Sequence, residues 1–274
     1  MRWFRCGSVL AAAALAAGCL QSSTVIKVTA DGSGTIEQQM LVSGTALTMM
    51  AGMGAENRGF DEMFDEKSMK ETAAKLGKGV RLVSREPVEV NGMKGARAVF
   101  AFDDVNALSV SQSPDLPGMG GGEGGAENVA FRLERRGSGR VLTITMPKPE
   151  AGEAEAPEEA PEDVPEDEPD QGRPDDEVPP EAVGMMKMMF RGLKVYVAVE
   201  VDGEITKSNA KYRDGSRVTL AEVDFDQLMG DEESFKVIQG RMRPGGSAAE
   251  LQKVMANLKG VKVNDEPVVR IEWQ

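Results

Sequence analysis

The chain reads as an α+β protein, an antiparallel β-sheet of hairpins with helices packed on one face, interrupted by an acidic, proline-rich insertion. Three observations carry that expectation. β-patterned runs come in pairs around turn residues, most plainly where Asn91-Gly92, the favoured type I′ pair, separates two of them. Val195, Val197, Val199 and Val201 alternate with other residues, which is the period of a strand with one buried face. Helical runs carry their own punctuation, as where Ser247 is followed three residues on by Glu250 and the pattern stops at Gly260.

Taken in order, 24–30 and 35–42 form a first hairpin around Asp31-Gly32-Ser33-Gly34, after a short tether over 20–23. Ser43 or Thr45 can cap a helix through Met53. A second helical pattern covers 60–76, with Phe60, Met63, Phe64, Ala73, Ala74 and Leu76 on its apolar side and Gly77 and Gly79 as stops. The Asn91-Gly92 hairpin joins 80–90 to 93–102, and Pro87 calls for a bulge or an edge position. The Gly-Pro-Ser-rich run 111–127 is a loop. A phosphate-cradling role for it would need a strand before, a helix after and a lysine within, and the sequence supplies none of these. A third hairpin joins 128–135 to 140–146, with Val129, Phe131 and Leu133 on one face.

Residues 150–180 are Glu, Asp, Pro and Ala almost throughout, too polar to offset the entropy of ordering, and are expected to be an unstructured spacer. They divide the chain into parts 19–149 and 181–274, which are expected to form one composite domain because neither looks complete alone. The second part opens with a helix over 181–193 that is apolar on most of its circumference. Strands follow over 194–201, 204–209 and 217–223, turning at Asp202-Gly203 and Asp214-Gly215. Short helices are expected over 225–229 and 234–242, a capped helix over 247–258, and a closing strand over 261–273 that Pro267 interrupts.

Charge and composition exclude more than they assign. The net charge of −13 is local, since 150–181 holds 15 acidic residues against Arg173 alone and the remainder holds 31 basic against 30 acidic. Nothing in so neutral a remainder reads as a nucleic-acid surface. The absence of histidine excludes Ser-His-Asp and Cys-His catalysis, His-ligated zinc and a histidine pH switch. Methionine is abundant at 17 and aromatics make up only 5%, so the interior should be aliphatic and thioether-rich.

The first residues fix the expected location. Arg2 and Arg5 precede an apolar run over 9–17 that is too short to span a bilayer, and Leu15-Ala16-Ala17-Gly18-Cys19 ends it. This resembles the signal peptide and lipobox of bacterial lipoproteins, apart from Ala16 where that family prefers Leu. The resemblance implies that 1–18 are removed and that Cys19 becomes the acylated first residue of a membrane-anchored envelope protein. Leu20 in place of Asp after Cys19 implies the periplasmic face of the outer membrane, if the organism has one. Cys6 leaves with the signal, so the mature chain can form no internal disulfide.

A second likeness lies at 197–220, VAVEVDGEITKSNAKYRDGSRVTL, where Gly203, Ile205, Ser208, Asn209, Gly215, Val218 and Thr219 match the pattern of the LppM-type lipoprotein domain. Leu220 stands where that pattern has Trp. Cys19, the strand after it and Asp31-Gly32-Ser33-Gly34 resemble the start of such domains. The resemblance implies an α+β lipoprotein that binds membrane glycolipids or phospholipids, and it brings no catalytic residues.

The function expected is therefore a non-enzymatic envelope lipoprotein holding a lipid or other hydrophobic ligand, with no cofactor and no metal. The alternative is a structural or assembly lipoprotein that presents its sheet to a protein partner. Candidate ligand-cavity residues are Met185, Met186, Met189 and Phe190, because a helix apolar nearly all round is buried on more than one side and methionine repacks readily. The same thioethers suit copper(I), but with no histidine or free cysteine beside them packing is the better reading. The acidic insertion lacks the ordered loop of a calcium site. Asp103-Asp104 and the pair Asp224 and Asp226 could serve as acid and base, though nothing near them in sequence supplies an apolar pocket.

Overall fold

The structure, a computed structural model, describes residues 20–52, 64–111, 128–146, 184, 187, 190–241, 257–264 and 266–274. In chain order its elements are β1 (Leu20–Val28), β2 (Gly34–Ser43), α1 (Gly44–Gly52), α2 (Glu66–Leu76), β3 (Arg81–Val90), β4 (Met93–Phe102), a 3-10 turn (Val105–Ala107), β5 (Ser109–Ser111), β6 (Asn128–Arg136) and β7 (Gly139–Thr145). Then come β8 (Lys194–Val201), β9 (Ile205–Ser208), β10 (Arg213–Asp214), β11 (Arg217–Asp224), α3 (Phe225–Gly230), α4 (Glu232–Arg241), β12 (Val261–Val263) and β13 (Val268–Trp273). Strands dominate, with few helices, so the architecture is mostly β with helices added.

Two sheets stand where the sequence predicts one. The larger has 8 strands in the order β10-β11-β8-β1-β2-β4-β3, with β12 pairing on β11, and the smaller has 5 in the order β5-β6-β7-β13-β9. The larger is mixed rather than antiparallel, because β1 runs parallel to β8, Ile26 opposite Val199. The expectation of a wholly antiparallel sheet fails there for a local reason. Hairpin signals report only neighbours in sequence, and this pair is joined across 150–180. The smaller sheet is antiparallel throughout and is likewise built from both flanks of that segment, β7 pairing with β13.

The three hairpins form as their turn residues demand. Asn91 and Gly92 have φ of 53° and 77°, the positive pair that a type I′ turn requires. β3 is an edge strand, as Pro87 requires, but its register shift falls between Leu82 and Ser84 rather than at the proline. Other boundaries move. α2 starts at Glu66, not 60, because the Asp65 carboxylate accepts from the Ser68 N–H at 2.6 Å and so caps it. The 181–193 helix does not reach Leu193, since 190–192 are turn. The expected tether is absent: β1 begins at Leu20, paired with Val42.

The core lies where side chains of the two sheets meet. Across the larger sheet, Val218, Val199, Ile26, Ile36 and Phe100 stand opposite one another in register, each 0% exposed. Each such side chain contributes about 1.5–3 kcal/mol on burial. Phe131, Leu142, Ile144, Ile271 and Trp273 of the smaller sheet and Met69, Ala73 and Leu76 of α2 belong to the same cluster. Both sheets can share it because the chain changes sheet five times, among them at Asp202-Gly203, between β8 and β9, and at Pro267, between β12 and β13. Gly203, at φ 147°, leaves no room for a Cβ, which would lie 2.9 Å from Trp273 Cδ1.

On the other face of the larger sheet an ion chain crosses four strands. Lys27 meets Glu37 at 2.6 Å, Glu37 meets Arg97 at 3.0 Å, and Arg97 reaches Glu86 at 3.3 Å. The hydrogen bond from Lys27 is the main reason that the Glu37 carboxyl lies below its usual range. All four are solvent-accessible, so the chain pins register more than it stabilises.

Candidate functional site

Cys19, Met185, Met186 and Met189 lie outside the described residues, as do 112–127 and 150–180. Their surroundings are described in part. Leu20 follows Cys19 directly and is already hydrogen-bonded strand, so the proposed acylation site adjoins the end of the larger sheet. The register brings to that end Val42 and Ser43, Met93 with the Asn91-Gly92 turn, and Lys194, which neighbours Gln21.

Phe190 is the one cavity candidate whose position is described. Its ring stacks on Phe225 at 5.3 Å between centroids and 15° between planes. The junction is fixed by backbone bonds as well: Phe225 N donates to Leu193 O at 3.0 Å, and Gly192 N donates to Asp226 Oδ1 at 2.7 Å. Lys187 holds its ammonium 4.5 Å from the centre of the Phe235 ring. Phe190 and Lys187 thus meet α3 and α4, in which Leu228, Met229 and Phe235 are buried. The sequence alone did not pair Phe190 with Phe225, although both flank strands, β8 and β11, that come to lie side by side.

Next to this junction the core-side face of the larger sheet changes character. Beyond the Ile26–Ile36–Phe100 row, alternation places Thr24, Gln38 and Ala98 on that face, then Ser22, Met40 and Ala96. Ala96 and Ala98 are buried, while Ser22, Thr24, Gln38 and Met40 are half-buried. Ser22 and Thr24 on β1 and Ala96 and Ala98 on β4 are small, with the longer Gln38 and Met40 of β2 between them. Val195 and Val197 of β8 continue the face toward α3.

The paired carboxylates have structural tasks. Asp224 accepts from Gln227 N at 3.2 Å, capping α3, and receives the Lys194 ammonium at 2.8 Å. Burial pushes its carboxyl up, but the hydrogen bonds from Lys194 and Gln227 outweigh this and bring it below the ordinary value. Asp226 is taken by Gly192 N. Asp103 pairs with Arg81 at 2.9 Å and Asp104 accepts from Asn106 N at 2.9 Å.

The residues of the LppM-type pattern are also occupied structurally. Asn209 Nδ2 donates to Val268 O at 2.9 Å and to Glu266 at 2.6 Å, while its Oδ1 accepts from Arg270 N at 2.7 Å. Ser208 Oγ donates to Arg270 O at 2.8 Å. The Ser-Asn pair therefore continues the β9–β13 pairing with side-chain atoms where the chain leaves the smaller sheet.

Among the described residues no group of three or more Asp, Glu, Cys or His could hold a metal ion, and no helix is long and apolar enough to cross a membrane. A depression bounded by Glu66, Lys67, Lys70, Glu71 and Ala74 lies on the solvent side of α2 alone.

No protein-family model and no curated protein sequence matches the chain. Among solved structures, the folded domain of Mycobacterium tuberculosis LppM, determined by NMR, aligns over 94% of this chain and 91% of its own, at 11% identity and a TM-score of 0.33. The likeness is weak and concerns the fold only; at that score nothing is carried from one protein to the other.

Proposed function

We propose that this chain is an envelope lipoprotein, acylated at Cys19, without enzymatic activity, that holds a lipid or other hydrophobic molecule between the larger sheet and the methionine-rich segment 185–189. The observation that supports the reading is the change on the core-side face from large apolar side chains to the rows Thr24–Gln38–Ala98 and Ser22–Met40–Ala96, a face that Val195 and Val197 continue toward α3, on which Phe190 stacks through Phe225. A site of this kind, mostly apolar with a few polar groups, suits an acyl chain. Methionines at its border would repack as the chain enters or leaves. Pairing of β1 with β8 and of β7 with β13 supports treating 19–149 and 181–274 as one composite domain.

The test is gentle purification from membranes followed by mass spectrometry. The N-terminal peptide should begin at an acylated Cys19, and the folded protein should carry a non-covalent lipid that Met189→Trp, a cavity-filling change, removes. A folded protein without lipid overturns the ligand; an unmodified N-terminal peptide overturns the anchor. The second reading, presentation of the sheet to a protein partner, is favoured by the free edge of β3, where Val83 is 60% exposed. A stoichiometric protein co-purifying in place of lipid would carry it.

A further inference from the structure

We infer that the end of the larger sheet carrying Leu20, the Asn91-Gly92 turn and Lys194 is a docking surface for the lipid bilayer, and that the protein stands on the membrane on this end. The inference rests on acylation at Cys19 and adds to it an orientation. A lipoprotein on a long tether samples many orientations, but here no tether remains, because Leu20 is the first residue of β1 and pairs with Val42. One residue spans only about 3.8 Å, so acyl chains on Cys19 hold the strand end at the level of the headgroups.

The register then determines what else meets them. β2 and β4 bring Ser43 and Lys94 to the same level, with Val42 and Met93 buried behind them, and the β3–β4 turn projects Val90, Asn91 and Gly92 there. Lys94 is exposed, as is Arg191 just before β8, and cations at this level gain from anionic headgroups. Val90, 42% exposed, is one of two large apolar side chains that the described residues expose. The other, Val83 at 60%, lies seven residues back on the same strand, about 20 Å from the membrane end.

Those two valines make the test. Once the signal is removed the only cysteine left is Cys19, whose sulfur is taken up by the lipid, so Val90→Cys and Val83→Cys each accept one fluorophore without competition. Both positions are exposed on an edge strand, so neither change threatens folding. The full-length acylated variants are placed in phosphatidylethanolamine and phosphatidylglycerol vesicles whose headgroups carry a nitroxide quencher. Quenching should be several-fold stronger at position 90 than at position 83. Equal quenching, or stronger quenching at 83, in protein that floats with the vesicles overturns the orientation and leaves the anchor standing. Protein that does not float, with an N-terminal peptide lacking the acyl mass, overturns both.

Discussion

Lys194, the first residue of β8, holds its ammonium 2.8 Å from the carboxylate of Asp224, the last residue of β11, and the same carboxylate caps α3. One side chain thus closes a strand pair and starts a helix. Asp224→Ala should cost about 2 kcal/mol, the upper range of a lost N-cap, while Asp224→Asn, which caps nearly as well, should cost less than half of that. Urea melts at neutral pH rank the two variants; equal losses would mean that the cap contributes little.

The pH dependence of this group follows from the sign of its shift. A carboxyl depressed in the folded state adds stability that is complete above the unfolded value, 3.8 for aspartate, and is lost as pH falls through the lower folded value. Wild-type protein should therefore lose more stability than Asp224→Asn between pH 5 and about pH 2. Parallel acid titrations followed by circular dichroism would show otherwise if Asp224 titrated normally.

Gly34 sits opposite Val28 in β1 and Phe102 in β4, and a Cβ there would lie 1.9 Å from Lys27 O and 2.6 Å from Phe102 Cζ. Gly34→Ala should cost at least the roughly 1–3 kcal/mol of an overpacked core, because backbone cannot move aside as a side chain can. Gly92→Ala, with nothing within 4 Å but φ of 77°, should be milder. Thermal melts of the two variants compare steric clash with backbone strain.

Trp273 is 1% exposed and its indole N–H meets no acceptor among the described residues. An unpaired buried donor costs about 1–3 kcal/mol, so Trp273→Phe removes that cost along with part of the ring and should leave stability within about 1 kcal/mol of wild type. Trp273→Ala should cost about 3–5 kcal/mol. A large loss in the Phe variant would reveal a partner for the indole in solution.

Asn209→Ala should lower stability by about 1–2 kcal/mol and leave any bound lipid unchanged, because its three hydrogen bonds all lie within the β9–β13 junction. Loss of lipid from a variant that still melts cooperatively would return this residue to the ligand site.

What the sequence made legible was local. Asn91-Gly92 and Asp31-Gly32 marked hairpins because a turn's backbone angles are written in its own residues. The second sheet was not legible, since the crossings at Gly203 and Pro267 read only as turns and the alternation of 204–209 does not name its partner strand. The parallel pairing of Val199 with Ile26 was hidden for the same reason, with 150–180 between them. At the candidate site, Phe190 was readable as apolar, but its stacking partner Phe225 depends on two strands meeting. Asp224 and Asp226 were readable as a pair, yet only three dimensions show Lys194 and Gly192 occupying them.

The position of β1 has a consequence for manufacture. It is the first strand in sequence, yet in the finished sheet it lies between β2 and β8, and β7 waits in the same way for β13. Until residues 194–201 and then 268–273 arrive, each sheet presents an open strand edge to whatever chaperone, protease or sister chain is nearby. A chain lacking residues 268–274 would leave β7 and β9 unpaired on the sides that β13 fills. Truncated copies should therefore be cut by proteases faster than the full chain.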